Sequence, residues 1–348
     1  MTAIQPLVLT PGEPAGAGCE LAADAWLRRG ERLPPFLLID DPDRVAARLR
    51  AIGRDVPVRA VDGPEAATAS FADALPVLPH GFPAPDRPGS PDPANGRAVV
   101  DAIERAVALV RDGRAAAVVT NPIQKETLYQ AGFAFPGHTE FLAHLAGPGV
   151  VPVMLLASPE LRVVPVTIHI PLAEVPRRLT TEGIVQVGRI TAAALAQDFG
   201  IARPRLALAG LNPHAGEGGA LGREEIEVVA PAVAALRAEG IDAVGPLPAD
   251  TMFHAEARAG YDVALGMYHD QVLVPLKTLD FWGGVNVTLG LPFVRTSPDH
   301  GTALTLAGTG RARPDSLIAA LRMAADMAAA RAAAAPRGAG RTGTGAAA

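Results

Sequence analysis

The feature that most restricts the fold is an alternation between two periodicities. From Asn95 to Gly113 apolar residues recur every three or four positions, at Val99, Val100, Ile103, Val107 and Val110, which is the spacing of one helical face; Asn95 is placed to cap that helix and Gly113 to stop it. Ala115 to Val119 follows as a short unbroken apolar run, the pattern of a strand buried on both faces. The rhythm continues with a helix over Thr181–Asp198, a strand over Arg205–Ala209, a helix over Arg223–Glu239 and a strand over Asp262–Leu265. A helix that returns across a sheet before each new strand leaves the strands parallel, so the expected class is α/β, a largely parallel sheet flanked by helices. In such sheets ligands gather at the carboxyl ends of the strands.

The remaining segments fit that plan. Leu7–Thr10 reads as a strand, followed by a Pro/Gly loop and a helix starting near Glu20; the loop lacks the lysine and hydroxyl of a P-loop, which argues against ATP-dependent phosphoryl transfer. Val150–Leu172 is apolar enough to suggest a membrane span, but Pro152, Pro159, Glu160, Arg162, Pro165 and His169 interrupt it, and two strands joined by a turn at Ser158-Pro159-Glu160 explain it better. No internal repeat or long polar linker divides the chain. Past about Ala329 only Ala, Gly, Arg, Thr and little else remain, so 336–348 is expected to be a disordered tail. Gly338-Ala-Gly340-Arg-Thr-Gly343 within it matches a dinucleotide-binding pattern, but no strand precedes it, and the match is set aside.

Composition narrows the partners. A 348-residue chain that is 49% hydrophobic and 19% charged can bury a large core, and a formal net charge of −5 leaves no broad basic surface for nucleic acid or an anionic membrane. A small molecule is the expected partner. The single cysteine, Cys19, allows no intrachain disulfide, and the N-terminus lacks a basic segment followed by an apolar one, so a cytoplasmic location is expected.

The chemistry concentrates where strands end. After the strand at Arg205–Ala209 comes Gly210-Leu-Asn-Pro-His-Ala-Gly-Glu-Gly-Gly-Ala-Leu-Gly-Arg-Glu-Glu225, in which five glycines surround His214, more freed backbone than a simple connection needs. His169 ends the run from Val163, and His269 closes Val263-Ala-Leu-Gly-Met-Tyr-His. Any one of these imidazoles alone reads as an ordinary structural histidine. Three at three strand exits can converge on one rim and hold a divalent ion with a position left open, an arrangement suited to catalysis, although their wide spacing is no short metal signature. In Phe135-Pro-Gly-His-Thr-Glu-Phe141, Thr139 can cap a helix and His138 stands beside the cap, a place for a phosphate or carboxylate. Lys277 and Arg295 lie in apolar surroundings and read either as surface residues with buried stems or as anion contacts. Asp250 reads equally as a helix cap and as a polar group of a cleft.

Five ordered motifs, Thr10-Pro-Gly-Glu-Pro-Ala-Gly, Pro136-Gly-His-Thr-Glu-Phe-Leu, Gly210-Leu-Asn-Pro-His-Ala-Gly-Glu-Gly-Gly, Tyr268-His-Asp-Gln and the segment from Gly284 to Ala303, resemble the 4-hydroxythreonine-4-phosphate dehydrogenase family of pyridoxal phosphate biosynthesis. The resemblance runs from Leu7 to about Ala329. It implies an isocitrate/isopropylmalate-dehydrogenase-like fold of two α/β domains with a cleft between them, one from 1–125 plus 286–335 and the other from 126–285, and a homodimer whose active site the second subunit completes. It implies His169, His214 and His269 as ligands of a divalent metal, zinc foremost with magnesium or cobalt as alternatives, His269 reaching in from the partner subunit. His138, Thr139, Lys277, Asn286 and Arg295 become substrate contacts, with Lys277 and Asp250 as catalytic candidates. His300, Gly301, Thr302 and Ala303 resemble the adenine-side loop for NAD, with NADP as the alternative; the related loop usually carries an acidic residue where Leu306 stands. Cys19 and Gln124 replace a proline and an asparagine common in the family.

The implied reaction is metal-assisted oxidation of 4-phosphohydroxy-L-threonine by NAD, followed by decarboxylation. Relatives that oxidise a phosphorylated tetronate or D-threonate, or a dihydrodiol dicarboxylate, are the near alternatives. Outside the class stand a three-histidine metal hydrolase with Glu217 or Asp250 as base, which would need no NAD, and a non-catalytic binding protein.

Overall fold

The computed structural model describes residues 5–334, so the expected tail at 336–348 lies outside the described residues. Twelve strands form one sheet: β1 (Leu7–Thr10), β2 (Phe36–Asp40), β3 (Val58–Ala60), β4 (Leu75–Pro79), β5 (Val118–Thr120), β6 (Val153–Ala157), β7 (Arg162–Thr167), β8 (Arg205–Ala209), β9 (Asp242–Leu247), β10 (Val263–Tyr268), β11 (Val285–Leu289) and β12 (Arg295–Pro298). Their order is β3-β4-β2-β1-β5-β12-β11-β6-β7-β10-β8-β9. All neighbours are parallel except β12-β11, β11-β6 and β6-β7. The α/β expectation therefore holds, with an antiparallel seam at the middle of the sheet.

Alternation within the strands distributes the core over both faces. In β1, Leu7 and Leu9 pack with Phe36 and Leu38 on one side, while Val8 joins Leu37, Ile39 and Val118 on the other. The helix Gly96–Arg111 covers that second side with Val99, Val100, Ile103 and Val107, each buried. A fully buried side chain of this size contributes about 1.5–3 kcal/mol, so the stripe legible in the sequence fixes the helix to the sheet.

Helix Thr181–Asp198 and strand Arg205–Ala209 have the expected bounds, and the Thr180 side chain accepts from Gly183 N at 3.0 Å to cap the former. Three local expectations are corrected. Asn95 does not cap its helix: Pro93 opens a 3₁₀ turn one step earlier, Asp92 caps it by accepting from Ala94 N, and Asn95 Oδ1 instead accepts from Ala84 N at 2.9 Å. Thr139 does not cap either, because Gly137, in extended backbone, takes the cap position and Thr139 falls inside the first turn of His138–Ala146. The helix after Arg223 opens as a π turn over Glu225–Val229 before the α-helix Ala230–Ala238, where Pro231 has no N–H to give to the turn behind it.

Candidate active site

β7, β10 and β8 are parallel neighbours in the sheet, so the three histidine-bearing exits open on the same rim. A cleft of about 880 Å³ lies there, between that rim and the antiparallel seam. Register aims the seam's polar residues into it. Asn286 alternates with buried Val287 on β11, and Arg295 and Ser297 alternate with Thr296 on β12; Thr288, on the Asn286 face, is itself buried and off the cleft wall. Thr296 turns to the opposite face and donates to Ala320 O at 2.9 Å. His138, Thr139, His169, His269, Lys277, Asn286, Arg295, His300 and Gly301 all line the cleft, gathering expected site residues from across nearly half of the chain.

Arg295 is its most informative member. It is 3% exposed, and among the described residues its guanidinium donates only to neutral hydroxyls, Thr288 Oγ1 at 2.9 Å and Thr120 Oγ1 at 2.6 Å, while Nε has no partner there. Burial lowers its pKa to about 10, so it remains cationic at neutral pH. A buried charge without a counter-ion is costly, and a bound oxyanion would supply the missing partner. His138 stands nearby with its Nε2 shielded and unpartnered; loss of hydration, reinforced by the charges of Arg295 and Lys125, holds its pKa well below the usual histidine range. Its imidazole is neutral at neutral pH and can donate or accept toward a ligand. Lys277 Nζ sits 2.7 Å from Asp299 Oδ2. Asp299, like Lys125 and Glu140 on the cleft wall, was not singled out from sequence: Lys277 and Asp299 meet from different elements, which no local spacing reveals.

The metal candidates are only partly assembled. The rings of His169 and His269 lie 5.7 Å apart between centroids, and partial burial with the charges of Lys125 and His269 lowers the pKa of His169. Asp270 Oδ1 is 2.6 Å from His269 Nδ1, which leaves Nε2 of that ring for a ligand bond; metal-binding histidines are commonly oriented by such a carboxylate. This pair suits a divalent metal. Among the described residues, however, no three His, Cys, Asp or Glu side chains of one chain gather into a metal cage. His214 and Asp250 line an adjoining cavity of about 780 Å³ that shares Asp270 and Val274 with the first. His214 stands in a left-handed turn: residues 214 to 218 have φ of 54°, 51°, 80°, 46° and 65° in succession. Such backbone costs about 1–2 kcal/mol for each non-glycine residue, here His214, Ala215 and Glu217.

The nicotinamide candidates divide. His300 and Gly301 face the cleft, and His300 Nε2 is buried without a partner. Thr302 O accepts from Ala17 N at 3.1 Å, and a Cβ on Gly16 would come within 2.7 Å of it, so the segment 300–303 packs closely on the Pro/Gly loop that follows β1. An orphaned imidazole nitrogen over closely packed backbone fits a polar, extended cofactor. No helix of the described residues is long and apolar enough to cross a membrane.

A cleft at the carboxyl ends of parallel strands, holding one uncompensated cation, a neutral histidine and a pair of facing imidazoles, defines an α/β enzyme acting on a small anionic molecule. The sequence model of the pyridoxal phosphate biosynthetic protein PdxA matches residues 32–324, and the chain belongs to that family. It is 59% identical over 327 residues to the 4-hydroxythreonine-4-phosphate dehydrogenase of Methylorubrum populi, covering 92% of this chain and 93% of that one. To the enzyme of the same name from Xanthobacter autotrophicus it is 57% identical over 329 residues, covering 93% and 94%. The crystal structure of 4-hydroxythreonine-4-phosphate dehydrogenase from Klebsiella pneumoniae superposes with a TM-score of 0.83 at 38% identity, covering 93% of this chain and 99% of that one. Membership of a dehydrogenase family implies a nicotinamide cofactor.

Proposed function

We propose that this chain oxidises 4-phosphohydroxy-L-threonine at its secondary alcohol with NAD, yielding a 3-oxo acid that loses carbon dioxide to leave 3-amino-2-oxopropyl phosphate, a step toward pyridoxal 5′-phosphate. The observation that carries the reading is Arg295, a buried cation held by two neutral hydroxyls and lacking an anion. Arg295, with neutral His138, Thr139 and Asn286, binds the anionic groups and orients the alcohol carbon. Lys277, held by Asp299, stands where a proton leaving the substrate hydroxyl can be shared. When bound, NAD takes the hydride and a divalent metal, with zinc the first candidate, lowers the pKa of the hydroxyl and stabilises the charge left by decarboxylation. His169 and His269 would hold that metal, His214 supplying the third imidazole; NAD would lie along His300 to Ala303.

A homodimer accounts for the incomplete cage, since a second subunit can bring the missing imidazole across the interface; the family resemblance gives that reach to His269, whereas His169 and His269 standing side by side in one chain leave it to His214. Val274 and Phe281 support this, being large apolar side chains 59% and 61% exposed on the cavity walls, and Trp282, 51% exposed, packs against Phe281. Two α/β domains, 1–125 with 286–335 and 126–285, agree with a sheet whose two halves meet at the seam, and a cytoplasmic location agrees with one buried free cysteine. Asp250, exposed in the adjoining cavity, would join the site from there.

Absorbance of NADH tests the reading. Purified protein with NAD, zinc and 4-phosphohydroxy-L-threonine should generate it, and chelation should abolish it reversibly. If no NADH forms with metal restored, the substrate assignment falls and phosphorylated tetronate or D-threonate and dihydrodiol dicarboxylates are the next substrates to try.

A further inference from the structure

Glu225 is a buried carboxylate that none of the roles above uses. It is 3% exposed, and among the described residues no arginine or lysine pairs with it. Its contacts all converge on the segment carrying His214. Oε1 accepts from Asn212 N at 2.7 Å, and Oε2 accepts from Asn212 Nδ2 at 3.0 Å. The same amide donates to Glu224 Oε2 at 2.7 Å. The carboxylate also lies against bare backbone: a Cβ on Gly210 would stand 3.1 Å from Oε1, and one on Gly216 would stand 2.5 Å from Oε2. Glu225 therefore touches the chain before the left-handed turn, at its entry and inside it.

Residues 214 to 218 share a left-handed conformation that non-glycine residues adopt only when the surroundings impose it. Released from its clamp, this backbone would relax toward right-handed dihedrals, and the His214 ring would swing with it. The π turn that begins at Glu225 starts the helix with the carboxylate already under the loop. On the other side, Gln271 donates to Gly210 O at 2.6 Å and accepts from Met267 N at 2.6 Å. One amide thus ties the start of the His214 loop to the exit of β10, two residues from His269.

We infer that Glu225 is a positioning residue for the metal site: it fixes Asn212 and the left-handed turn and so sets where the His214 imidazole stands. The inference rests on the proposed role of His214 as a metal ligand, and holds whether the other ligands come from the same subunit or its partner. It also explains Gly210 and Gly216, which leave room for the carboxylate.

The test is the zinc affinity of the metal-free full chain, measured by competition with a chromophoric chelator, together with its thermal midpoint. His214→Ala, Glu225→Gln and Gly216→Ala are compared, with Glu227→Gln as the control, since among the described residues Glu227 pairs only with exposed Arg223. We expect Glu225→Gln and Gly216→Ala each to weaken zinc about 10- to 100-fold, the usual range for lost orienting partners, with Glu227→Gln unchanged. His214→Ala should weaken zinc at least as much. If His214→Ala leaves the affinity unchanged, the ligand reading fails and this inference with it. If His214→Ala weakens zinc while Glu225→Gln and Gly216→Ala stay within twofold of the parent, whatever their thermal midpoints, Glu225 supports only the fold and the inference alone is overturned.

Discussion

Arg48 and Arg295 are equally buried, each 3% exposed, and their surroundings are opposite. Arg48 donates to Glu20 Oε1 at 3.0 Å, to Asp86 through Nε at 2.9 Å and again through Nη2, and to the carbonyls of Gly16 and Pro14. Burial would lower its pKa, but the carboxylates outweigh burial and raise it. Arg295 has only hydroxyls, and burial alone lowers it. The comparison separates a cation that completes a folded network from one whose network a ligand must complete. The first belongs to stability and the second to binding, although exposure and residue type are the same.

The comparison breaks if the two arginines respond alike to truncation. Arg295→Met should lower kcat/KM about 10³-fold, roughly 4 kcal/mol, in the range for removing one partner of a buried charge contact. Its stability toward urea should hold or rise, because the substitution removes an uncompensated charge. Arg48→Met should do the reverse. Stranding Glu20 and Asp86 should cost about 3 kcal/mol of stability, read as a shift in the urea midpoint, while folded molecules bind substrate normally. A large stability loss in Arg295→Met with kcat/KM retained would put that residue in the structural class.

The same contrast explains what could be read before the structure. Helix Thr181–Asp198 and the strand after it were legible end to end because the pattern that marks each is local. The grouping of His138, Lys277 and Arg295 was legible through the family motifs alone, since locally they read as a residue beside a helix cap and two cations in apolar surroundings. Arg295 in isolation could not be told from a surface arginine, since what distinguishes it is the absence of a carboxylate brought from elsewhere. Asp299 escaped notice for the matching reason: its meaning lies in a contact with Lys277 across the cleft. The π turn at Glu225 and the left-handed run at His214 face each other through contacts of Glu225 with Asn212 and Gly216, and side-chain periodicity carries no trace of such contacts.

Titration sharpens the comparison on a smaller scale. His138 is held neutral by burial and by Arg295 and Lys125, so its folded pKa lies below the unfolded value near 6.5. As pH falls below 6.5, the unfolded chain takes up a proton that the folded site refuses. Stability must then decrease with falling pH, by at most about 1.4 kcal/mol per unit for this one group, until the folded pKa is reached. Urea midpoints from pH 7 to 5 should show this slope reduced in His138→Asn and also in Arg295→Met, which removes one of the charges opposing protonation. No such coupling should link His138 to Arg48→Met.

Cys19 supplies the smallest effect and the most direct check on the paired region. Two guanidiniums, Arg44 and Arg48, are close enough to lower its pKa, as cations do for reactive thiols. Burial outweighs them, and Asp40 and Glu20 oppose them, so the thiol is pushed up to about 11. At pH 8 the folded protein should therefore resist iodoacetamide over hours, with labelling following only global opening. Asp86→Asn leaves the arginines less neutralised and should increase labelling in the folded state. If the parent chain labels rapidly without denaturant, the arginine charges are not neutralised as the geometry requires, and Arg48 would share with Arg295 the character of a cation awaiting a partner.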